Sequence, residues 1–338
     1  MTLALPTTLQ RTREAVEPAL RSAVDRLDPE SRRLARYHFG WTDAVGRPTA
    51  GNSGKAVRPA FALLSAQAVH ASWQLGLPGA VAVELVHNFS LLHDDLMDGD
   101  VERRHRTTVW AMAGAPAAIL CGDAMLALAT QVLLDVGTLD AVEATRLLAA
   151  STQELIRGQY DDLAFEARND VTVDECLTMA AGKTGALLAC SAAIGAVLAG
   201  APAATVAALS TYGAELGLAF QLVDDLLGIW GDPQATGKPV GSDLRARKKS
   251  LPITWALAHG GVAGAELAGW LASDGPDSDE EIATGAALVE TAGGRAWAAE
   301  EARRRLAVGE DALSTADLDD AARDELVALG RFIVTRES

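Results

Sequence analysis

The sequence predicts an all-α protein, organised as a single large bundle of roughly ten to thirteen helices. Three observations support this prediction. Alanine is abundant and aromatic residues make up only 5% of the chain. The alternation that is typical of strands is nearly absent. Most segments instead repeat apolar residues at helical spacing, and short runs of Gly, Pro and Asp separate them.

The apolar period places the helices in order along the chain. They are predicted near residues 9–27, 56–75, 79–98, 115–134, 138–166, 173–199, 203–230, 250–259, 263–272, 279–291, 294–312 and 316–335. Long loops are expected at 42–55 and 230–252, and loops of this length are often functional. Nothing in the composition marks a domain boundary, so we expect one domain over residues 1–338. Residues 1–45 carry no readable motif and are expected to form an N-terminal helical extension.

The composition excludes several classes of protein. The 338 residues are 49% hydrophobic, and 29 Lys and Arg against 45 Asp and Glu give a net charge of −16. This charge argues against a general nucleic-acid binder and against attachment to anionic lipid by charge. Three cysteines without a CxxC motif fit a reducing compartment. No signal peptide and no uninterrupted apolar run of about 18 residues is visible, so we expect a cytoplasmic protein without a transmembrane segment.

A cluster of carboxylates, "LLHDDLMDGD" at residues 91–100, ends one apolar helix. At about 100° per residue, His87, Asp94 and Asp98 fall within about 40° of one another, and Asp95 lies beside them. The neighbouring residues are apolar, so this helix is expected to be buried on most sides. A buried helix with a polar stripe lines a cavity, which we expect at the centre of the bundle. The alternative is a solvated helix end.

A second acidic element, "VDDLLGIWGD", repeats the Asp-Asp-Leu pattern at the end of another apolar helix. Gln221, Asp224 and Asp225 are neighbours at helical spacing. Gly228 stands where a third aspartate would complete the match to the first element. Asp232 precedes a proline and is expected to be a turn residue. The repeat predicts two similar elements within one helical bundle.

A site built from carboxylates, with no histidine or cysteine ligand, favours Mg²⁺ over zinc. The coordination shell of Mg²⁺ is commonly completed by phosphate groups of a substrate. A phosphorylated substrate also needs cations, although a basic run by itself is typical of a solvated loop. Candidate cations occur in short clusters: Lys55, Arg58, Arg103, Arg104, Lys183, Lys238, Arg245, Arg247, Lys248 and Lys249. The "GKTG" segment lacks the spacing and the preceding strand of a nucleotide-binding P-loop.

Taken in order, these motifs resemble the trans-isoprenyl diphosphate synthases, or polyprenyl synthetases. The resemblance covers about residues 50–260 and rests on "GKAVRP", "VHNFSLLHDDLMD", Arg103-Arg104, "GQYDDL", "KTG", "FQLVDDLLGIWGD" and "GKPVGSDLRARKKSLP". It implies the all-α isoprenoid synthase fold. It also implies that the chain condenses isopentenyl diphosphate with an allylic diphosphate by ionisation, condensation and elimination.

The resemblance also implies roles for individual residues. Asp94 and Asp98 would hold two Mg²⁺ on the allylic diphosphate with Asp95 supporting them, and Asp224 would hold a third with Asp225 behind it. The cations expected on the allylic diphosphate are Arg103, Lys183, Lys238 and Lys248. The residues expected to bind isopentenyl diphosphate are Lys55, Arg58, His87 and Arg104. Thr184 and Gln221 would line the reacting centre.

The chain departs from the family pattern at a few positions. Gly228 replaces the third aspartate of the second motif, which is expected to weaken metal binding; restoring it with Gly228→Asp is expected to leave or improve turnover. Ala56 stands where many members have an arginine near isopentenyl diphosphate. His105 and Thr107 stand where a glycine and a proline are usual. These departures indicate a divergent subfamily.

Product length depends on the first-motif helix, along which the growing chain is expected to extend. Ser90 lies one turn before Asp94, and Phe89 resembles the aromatic floor of short-chain and C20 synthases. Helix geometry puts Phe89 about 140° from Asp94, so ordinary core packing is the alternative role for this side chain. A C20 product, geranylgeranyl diphosphate, is favoured, with farnesyl diphosphate (C15) and a C10 product open.

Two other functions remain open on the same fold. A class I terpene cyclase would also use the first motif, but its usual second metal element is not visible and Lys55, Arg58 and Arg104 are present. A non-catalytic subunit of a heteromeric synthase would tend to lose the aspartates, which are intact here. The family is usually dimeric, and an alanine-rich helix at 115–134 could pack against a second copy, so a homodimer is expected.

Overall fold

The computed structural model describes residues 7–49, 54–232, 240–273 and 278–335, and this part of the chain is almost wholly helical. It contains fifteen helices and a single two-stranded hairpin. The predicted all-α class is therefore confirmed. Lys238 lies outside the described residues.

The helices are numbered here in chain order. They are α1 Thr7–Val24, α2 Pro29–His38, α3 Val57–Ala68, α4 Trp73–Met97, α5 Val109–Ala113, α6 Ala115–Leu134, α7 Leu139–Glu166, α8 Val173–Leu198, α9 Ala203–Trp230, α10 Ser242–Arg245, α11 Leu251–His259, α12 Gly261–Ala272, α13 Asp279–Thr291, α14 Gly294–Ser314 and α15 Asp320–Val334. The hairpin strands are β1 Glu102–Arg103 and β2 Arg106–Thr107. Helix α8 contains one π turn, Ala181–Gly185.

Three of these helices were not predicted from the apolar period: α2, α5 and α10. Helices α5 and α10 are only five and four residues long, which is too short to show a period. Helix α2 is mostly polar, but its start has a clear signal. The Asp28 side chain accepts hydrogen bonds from the backbone N–H groups of Glu30 and Ser31, and a proline opens the first turn.

Contacts divide the chain into two compact units, and each is described by itself. Unit 1 comprises Met1–Ala150, Cys190–Ser210 and Ala316–Leu329. In this unit, α4 packs against α3 and α6, and its apolar residues are buried along most of its length as expected. A Cβ on Gly76 would lie 2.5 Å from the carbonyl oxygen of Ala62, so glycine permits the close approach of α4 to α3.

Unit 2 comprises Ser151–Ala189, Thr211–Thr315 and Gly330–Ser338. Helix α11 packs against α12 and α14 in this unit. The buried apolar side chains of this core, two of them from α11 itself, are Ile229, Leu244, Ile253, Ala256, Leu267, Ile282, Val289 and Ala292. Through Ile229 and Leu244 this core anchors α10 and the end of α9, and the end of α9 carries the second acidic element. The single-domain expectation stays a prediction.

Four helices are long and apolar enough to cross a membrane, judged by length and composition alone: α4, α6, α8 and α9. The most apolar stretch of α8 is 72% buried within the protein, whereas that of α6 is only 39% buried. Helix α6 therefore leaves much of its apolar surface exposed.

Candidate active site

The first acidic element lies at the C-terminal end of α4, in unit 1. Asp98 caps the helix, and its backbone N–H donates to the carbonyl of Asp94 at 2.8 Å. The Asp94 side chain is half-buried and that of Asp98 is exposed, so both carboxylates of the predicted stripe are accessible. The backbone carbonyl of Asp100 accepts from Thr108 Oγ1 and Trp110 Nε1, which gives this residue a structural role in the turn.

Asp95, next to this stripe, is buried with only 1% of its surface exposed. Its carboxylate accepts a hydrogen bond from Arg103 Nε at 2.5 Å. Burial raises the pKa of Asp95, and the neighbouring Arg103 opposes that shift. Because this carboxylate is already bonded to a guanidinium, its local function is to orient Arg103.

Arg103 and Arg104 are presented by the β1–β2 hairpin. Glu102 pairs with Thr107 and Arg103 pairs with Arg106, so Arg104 and His105 form the two-residue turn. Both turn residues have positive φ, 53° for Arg104 and 60° for His105. A two-residue turn with positive φ at both positions favours glycine or asparagine. With arginine and histidine at these positions the backbone is strained, so contacts around the hairpin must stabilise it.

The end of α2 and the segment that follows it hold this hairpin in place. The Arg106 guanidinium donates to the backbone carbonyls of Tyr37 and Thr42, at 2.9 and 2.7 Å, and lies 4.3 Å from the centre of the Tyr37 ring. The Tyr37 hydroxyl donates back to the carbonyl of Thr107 at 2.7 Å. Residues of the N-terminal extension therefore fix the hairpin from two directions.

A partly buried cationic cluster lies near the hairpin in unit 1. An Arg58 NH group lies 3.3 Å from His87 Nε2. Burial, followed by the charges of Arg58 and Arg104, holds the pKa of His87 well below its ordinary value, so the imidazole is neutral at pH 7 and accepts this bond. Burial lowers the pKa of Arg58 to about 10, against the opposing charge of Glu84.

Glu84 is the buried carboxylate that partly balances these cations, and burial raises its pKa above the ordinary value. Arg58 Nε is buried without a hydrogen-bond partner within the described residues. The guanidinium of Arg104 packs against Gly54, where a Cβ would lie 3.2 Å from Arg104 Nη2, and the φ of +92° at Gly54 is one that residues with a side chain rarely adopt. Lys55, next in sequence, is exposed. Several cations around one carboxylate form a favourable site for a polyanion such as a diphosphate.

The π turn of α8 organises the site residues of unit 2. A Cβ on Gly158 would lie 2.2 Å from the backbone nitrogen of Lys183, so α7 and the π turn are in direct backbone contact. The Lys183 ammonium donates to Asp162 at 2.5 Å. Single π turns inside helices occur frequently at functional sites.

A chain of hydrogen bonds leads from this turn to the second acidic element. Thr184 Oγ1 donates to Gln221 Oε1 at 2.7 Å, and Gln221 Nε2 donates to Asp225 Oδ1 at 2.8 Å. The other carboxylate oxygen of Asp225 accepts from the backbone N–H of Leu251 at 2.9 Å. The predicted residues Thr184, Gln221 and Asp225 therefore form one network.

Asp225 is buried, and burial raises its pKa to about 7 while Lys248 acts in the opposite direction. Burial alone would lower the pKa of Lys248, but the carboxylates of Asp225 and Asp162 raise it above its ordinary value. Asp224, next in sequence, is exposed. As in the first element, one aspartate of the pair is accessible and the other is bonded inside the protein.

The accessible carboxylates fit Mg²⁺ in the donor atoms that they offer. Asp94, Asp98 and Asp224 present only oxygen ligands, which is the preference of this cation. Among the described ranges, no three His, Cys, Asp or Glu side chains converge to form a complete protein cage. One or two carboxylates per cation suffice where water and substrate phosphates complete the ligand set.

Several residues of the site were not predicted from the sequence: Glu84, Arg106, Asp162 and Asp243. Glu84 lies one helical turn before His87, so its position on the same face could have identified it. Asp162 belongs to the "GQYDDL" motif. Asp243 likewise belongs to the "GKPVGSDLRARKKSLP" motif, whereas Arg106 has no comparable signal, because its partners Tyr37 and Thr42 are distant in sequence.

Comparisons with known proteins show the family of the chain. The family model described as polyprenyl synthetase matches residues 40–287. The chain is 54% identical to the (2E,6E)-farnesyl diphosphate synthase of Mycobacterium tuberculosis, over 96% of this chain and 91% of the relative. It is 44% identical to the geranylgeranyl diphosphate synthase of the same organism, over 97% and 93%. The crystal structure of a polyprenyl synthetase from Streptomyces coelicolor A3(2) superposes with a TM-score of 0.94 at 55% identity, covering 97% of this chain and 99% of that one.

Proposed function

The chain belongs to the polyprenyl synthetase family, and on that premise we propose which of its side chains bind each substrate and which product it releases. It is a trans-prenyltransferase that condenses isopentenyl diphosphate with an allylic diphosphate to give a C15 or C20 product. The observation that best supports the assignment is the pair of accessible carboxylates, Asp94 and Asp98, next to a separate, partly buried cationic cluster around Arg58.

Within that range we propose farnesyl diphosphate, C15, as the main product. The sequence motifs favour C20. However, the sequence identity to the mycobacterial farnesyl diphosphate synthase is 54%, whereas the identity to the geranylgeranyl diphosphate synthase of the same organism is 44%. Phe89 supports the shorter product. Its ring is buried and lies edge-on to His93, with the centroids 4.9 Å apart, and His93 in turn contacts Ile119 of α6. A fixed ring on this face of α4 would limit the length of a growing chain.

The allylic diphosphate is assigned to Asp94, Asp98 and Asp224, which would hold three Mg²⁺ against it. Bound Mg²⁺ supplies the positive charge that stabilises the departing diphosphate as the allylic C–O bond ionises. Asp95 orients Arg103 towards the same substrate, and Asp225 anchors Gln221 beside Asp224. The other cations assigned to this diphosphate are Lys183, Lys238 and Lys248.

Isopentenyl diphosphate is assigned to the cationic cluster of Lys55, Arg58, His87 and Arg104. Holding this second diphosphate fixes the double bond close to the allylic carbon, so that bond formation follows ionisation without a diffusive encounter. Neutral His87 accepts from Arg58 and can donate through its other ring nitrogen. Lys183 is paired with Asp162, so an arriving diphosphate must compete for its ammonium.

Apolar helix walls exclude water, which would otherwise capture the carbocation. The Thr184–Gln221 pair borders the reacting centre, and the released diphosphate is the base for the final proton. A homodimer fits the exposed apolar surface of α6, where Leu120 is 65% exposed. We place the enzyme in the cytoplasm, with its apolar helices packed within protein and no membrane span.

Product sizing tests this function. The protein is incubated with Mg²⁺, labelled isopentenyl diphosphate and, in separate reactions, the C5, C10 and C15 allylic diphosphates. The expected result is incorporation of isopentenyl units into the C5 and C10 substrates, with C15 as the main end point. Hydrocarbon released from the allylic substrate alone, without incorporation, would indicate a terpene cyclase. No turnover at all would favour a non-catalytic subunit.

A further inference from the structure

Lys248 follows a helix end that contains an unusual residue. Helix α10 is closed by a Schellman motif, in which two backbone N–H groups return to the last turn. The N–H of Lys248 donates to the carbonyl of Asp243 at 2.9 Å, and the N–H of Arg247 donates to that of Leu244 at 3.1 Å. Arg247 takes the left-handed position of the motif, with φ of +50°, where glycine is usual because a Cβ is crowded there. The backbone is therefore strained at the residue before Lys248.

The side chain of Arg247 lies over an aromatic ring of α12. Its guanidinium carbon is 5.9 Å from the centre of the Trp270 ring, within the range of a cation–π contact. That ring packs closely on α13, since a Cβ on Gly285 would lie 2.7 Å from Trp270 Cη2. Arg247 Nη2 is buried and has no hydrogen-bond partner in the part of the chain that the structure describes. Packing on a fixed ring therefore restrains this side chain, and with it the backbone at Arg247.

The Schellman motif directs Lys248 towards the second acidic element. Burial disfavours the ammonium ion of Lys248, but four carboxylates outweigh this effect and raise its pKa above the ordinary value. In decreasing order of effect they are Asp225, Asp162, Asp243 and Asp224. Because charge interactions weaken with distance, the ammonium must stay close to this group. A change of backbone conformation at the preceding residue would move it away from the carboxylates and from the diphosphate assigned to it.

We propose that Arg247 is a positioning residue for the allylic diphosphate: by packing on Trp270, it maintains the left-handed turn that directs Lys248 into the site. This inference rests on the proposed role of Lys248. The guanidinium of Arg247 acts through the backbone and does not itself bind the substrate. One cation of the "RARKK" run thereby has a specific structural task, although a basic run by itself is typical of a solvated loop.

Three replacements of Arg247 separate this role from a direct contact of its charge with substrate. Alanine keeps the Cβ and loses the ring contact, so the strained turn is no longer restrained. Glycine also loses the contact, but it adopts the left-handed conformation without strain. Lysine keeps the charge, but its ammonium does not reproduce a planar guanidinium stacked on a ring. Backbone positioning therefore predicts that glycine preserves substrate binding and lysine does not, whereas a charge contact predicts the reverse.

Steady-state kinetics of the full-length protein tests this, with geranyl diphosphate and isopentenyl diphosphate varied separately. We expect Arg247→Ala and Arg247→Lys to raise the KM for geranyl diphosphate at least about fivefold, and Arg247→Gly to stay within about twofold of wild type. The KM for isopentenyl diphosphate should change less than about twofold in all three variants. Trp270→Leu should resemble Arg247→Ala, and it should have no further effect when it is combined with Arg247→Gly.

Thermal unfolding of every variant checks that the proteins are folded, and if Trp270→Leu is not, the three Arg247 variants still decide. Arg303→Ala, at an arginine that is 71% exposed and paired locally with Glu300, is the control for loss of one positive charge. A KM for geranyl diphosphate that stays at the wild-type value in Arg247→Ala, or that rises in Arg247→Gly as much as in Arg247→Ala, would overturn the proposal. Recovery with lysine and not with glycine would overturn it too.

Lys248→Ala tests the underlying assignment separately. This variant should raise the KM for geranyl diphosphate at least as much as Arg247→Ala does, because it removes the ammonium that the turn positions. An unchanged KM in Lys248→Ala would contradict the proposed function of Lys248 itself, whatever the Arg247 variants show.

Discussion

In both acidic elements the two adjacent aspartates have different environments. Successive residues on a helix differ by about 100°, so one carboxylate of a pair can face solvent while its neighbour faces the interior. Asp94 and Asp224 are accessible, whereas Asp95 and Asp225 accept hydrogen bonds from Arg103 and Gln221. In each pair, the accessible aspartate is the one proposed to bind a cation, and its buried neighbour positions an adjacent polar side chain.

Phe89 is the residue that we expect to limit product length. Phe89→Ala should extend the main product from C15 to C20 or longer, because it removes a buried ring from the α4 face that contacts α6. It should also cost about 3 kcal/mol of unfolding free energy. Chromatography of the products and urea unfolding provide the two measurements.

Phe61→Ala is the matched control, since Phe61 is fully buried in α3 of the same unit. It should lower stability by a similar amount and leave the product at C15. An unchanged product in Phe89→Ala, or the same lengthening in Phe61→Ala, would show that Phe89 is ordinary core.

At the residue scale, helix geometry predicted the stripe of His87, Asp94 and Asp98 because these residues belong to one helix. It could not predict that Asp95 pairs with Arg103, since that contact depends on where the hairpin folds. The close approach of the Asp243 carboxylate to Gly228 was also out of reach. It depends on a turn at Gly241 that brings a distant segment back to α9.

At the scale of elements, the β1–β2 hairpin depends on residues far from it in sequence. We expect Arg106→Ala to raise the KM for isopentenyl diphosphate about tenfold with a smaller change in kcat, because the hairpin that carries Arg104 loses two hydrogen bonds to Tyr37 and Thr42. Arg106→Lys should not restore it, since one ammonium does not reproduce the planar fork of a guanidinium. Steady-state kinetics with each substrate varied gives the measurement.

Arg146→Ala is the control for this prediction, because Arg146 is exposed and pairs only locally with Glu143. It should behave as wild type. If the kcat/KM of Arg106→Ala for isopentenyl diphosphate lies within twofold of wild type, the Arg106 hydrogen bonds are not needed to position the hairpin for substrate binding.

The π turn of α8 depends on close backbone approach. Gly158→Ala should lower unfolding free energy by about 1–3 kcal/mol and reduce turnover at least tenfold, because its Cβ would displace the backbone of Lys183. Gly269→Ala, a helical glycine with no atom near its Cβ position, should instead raise stability by about 0.5–1 kcal/mol. Urea unfolding and turnover of the two variants test this, and equal behaviour of both would contradict it.

The apolar period predicted the long helices well because each buries one or more faces along many turns. It missed α2, where most residues are polar and the signal lies in Asp28 and the following proline. Yet Tyr37 of α2 and Thr42 after it hold the hairpin. Residues 1–45, which carry no motif, thus gain a structural role from contacts that no local pattern encodes.

At the scale of the whole molecule, the strongly acidic chain places arginines close to two half-buried histidines, His38 and His87. Burial, then Arg104 and Arg103, lower the pKa of His38 to about 3, whereas its unfolded value is about 6.5. A depressed folded pKa contributes stability above pH 6.5 that is lost as pH falls, because the unfolded state binds the proton first.

Replacing this histidine should therefore make the unfolding free energy less dependent on pH below pH 7. Between pH 7 and pH 5, the loss of unfolding free energy should be about 2 kcal/mol smaller in His38→Gln than in wild type. Urea unfolding at the two pH values measures it. Identical losses in the two proteins would mean that His38 is not held neutral by its surroundings.

The central claim is that Asp94 acts on the substrate through Mg²⁺, whereas the nearby Asp100 is a turn residue. The direct measurement is the rate of isopentenyl incorporation into geranyl diphosphate at saturating Mg²⁺, for Asp94→Ala and Asp100→Ala against wild type. We predict a loss of at least about 1,000-fold for Asp94→Ala and a near-normal rate for Asp100→Ala. A near-normal rate in Asp94→Ala, or an equal loss in both variants, would contradict the account.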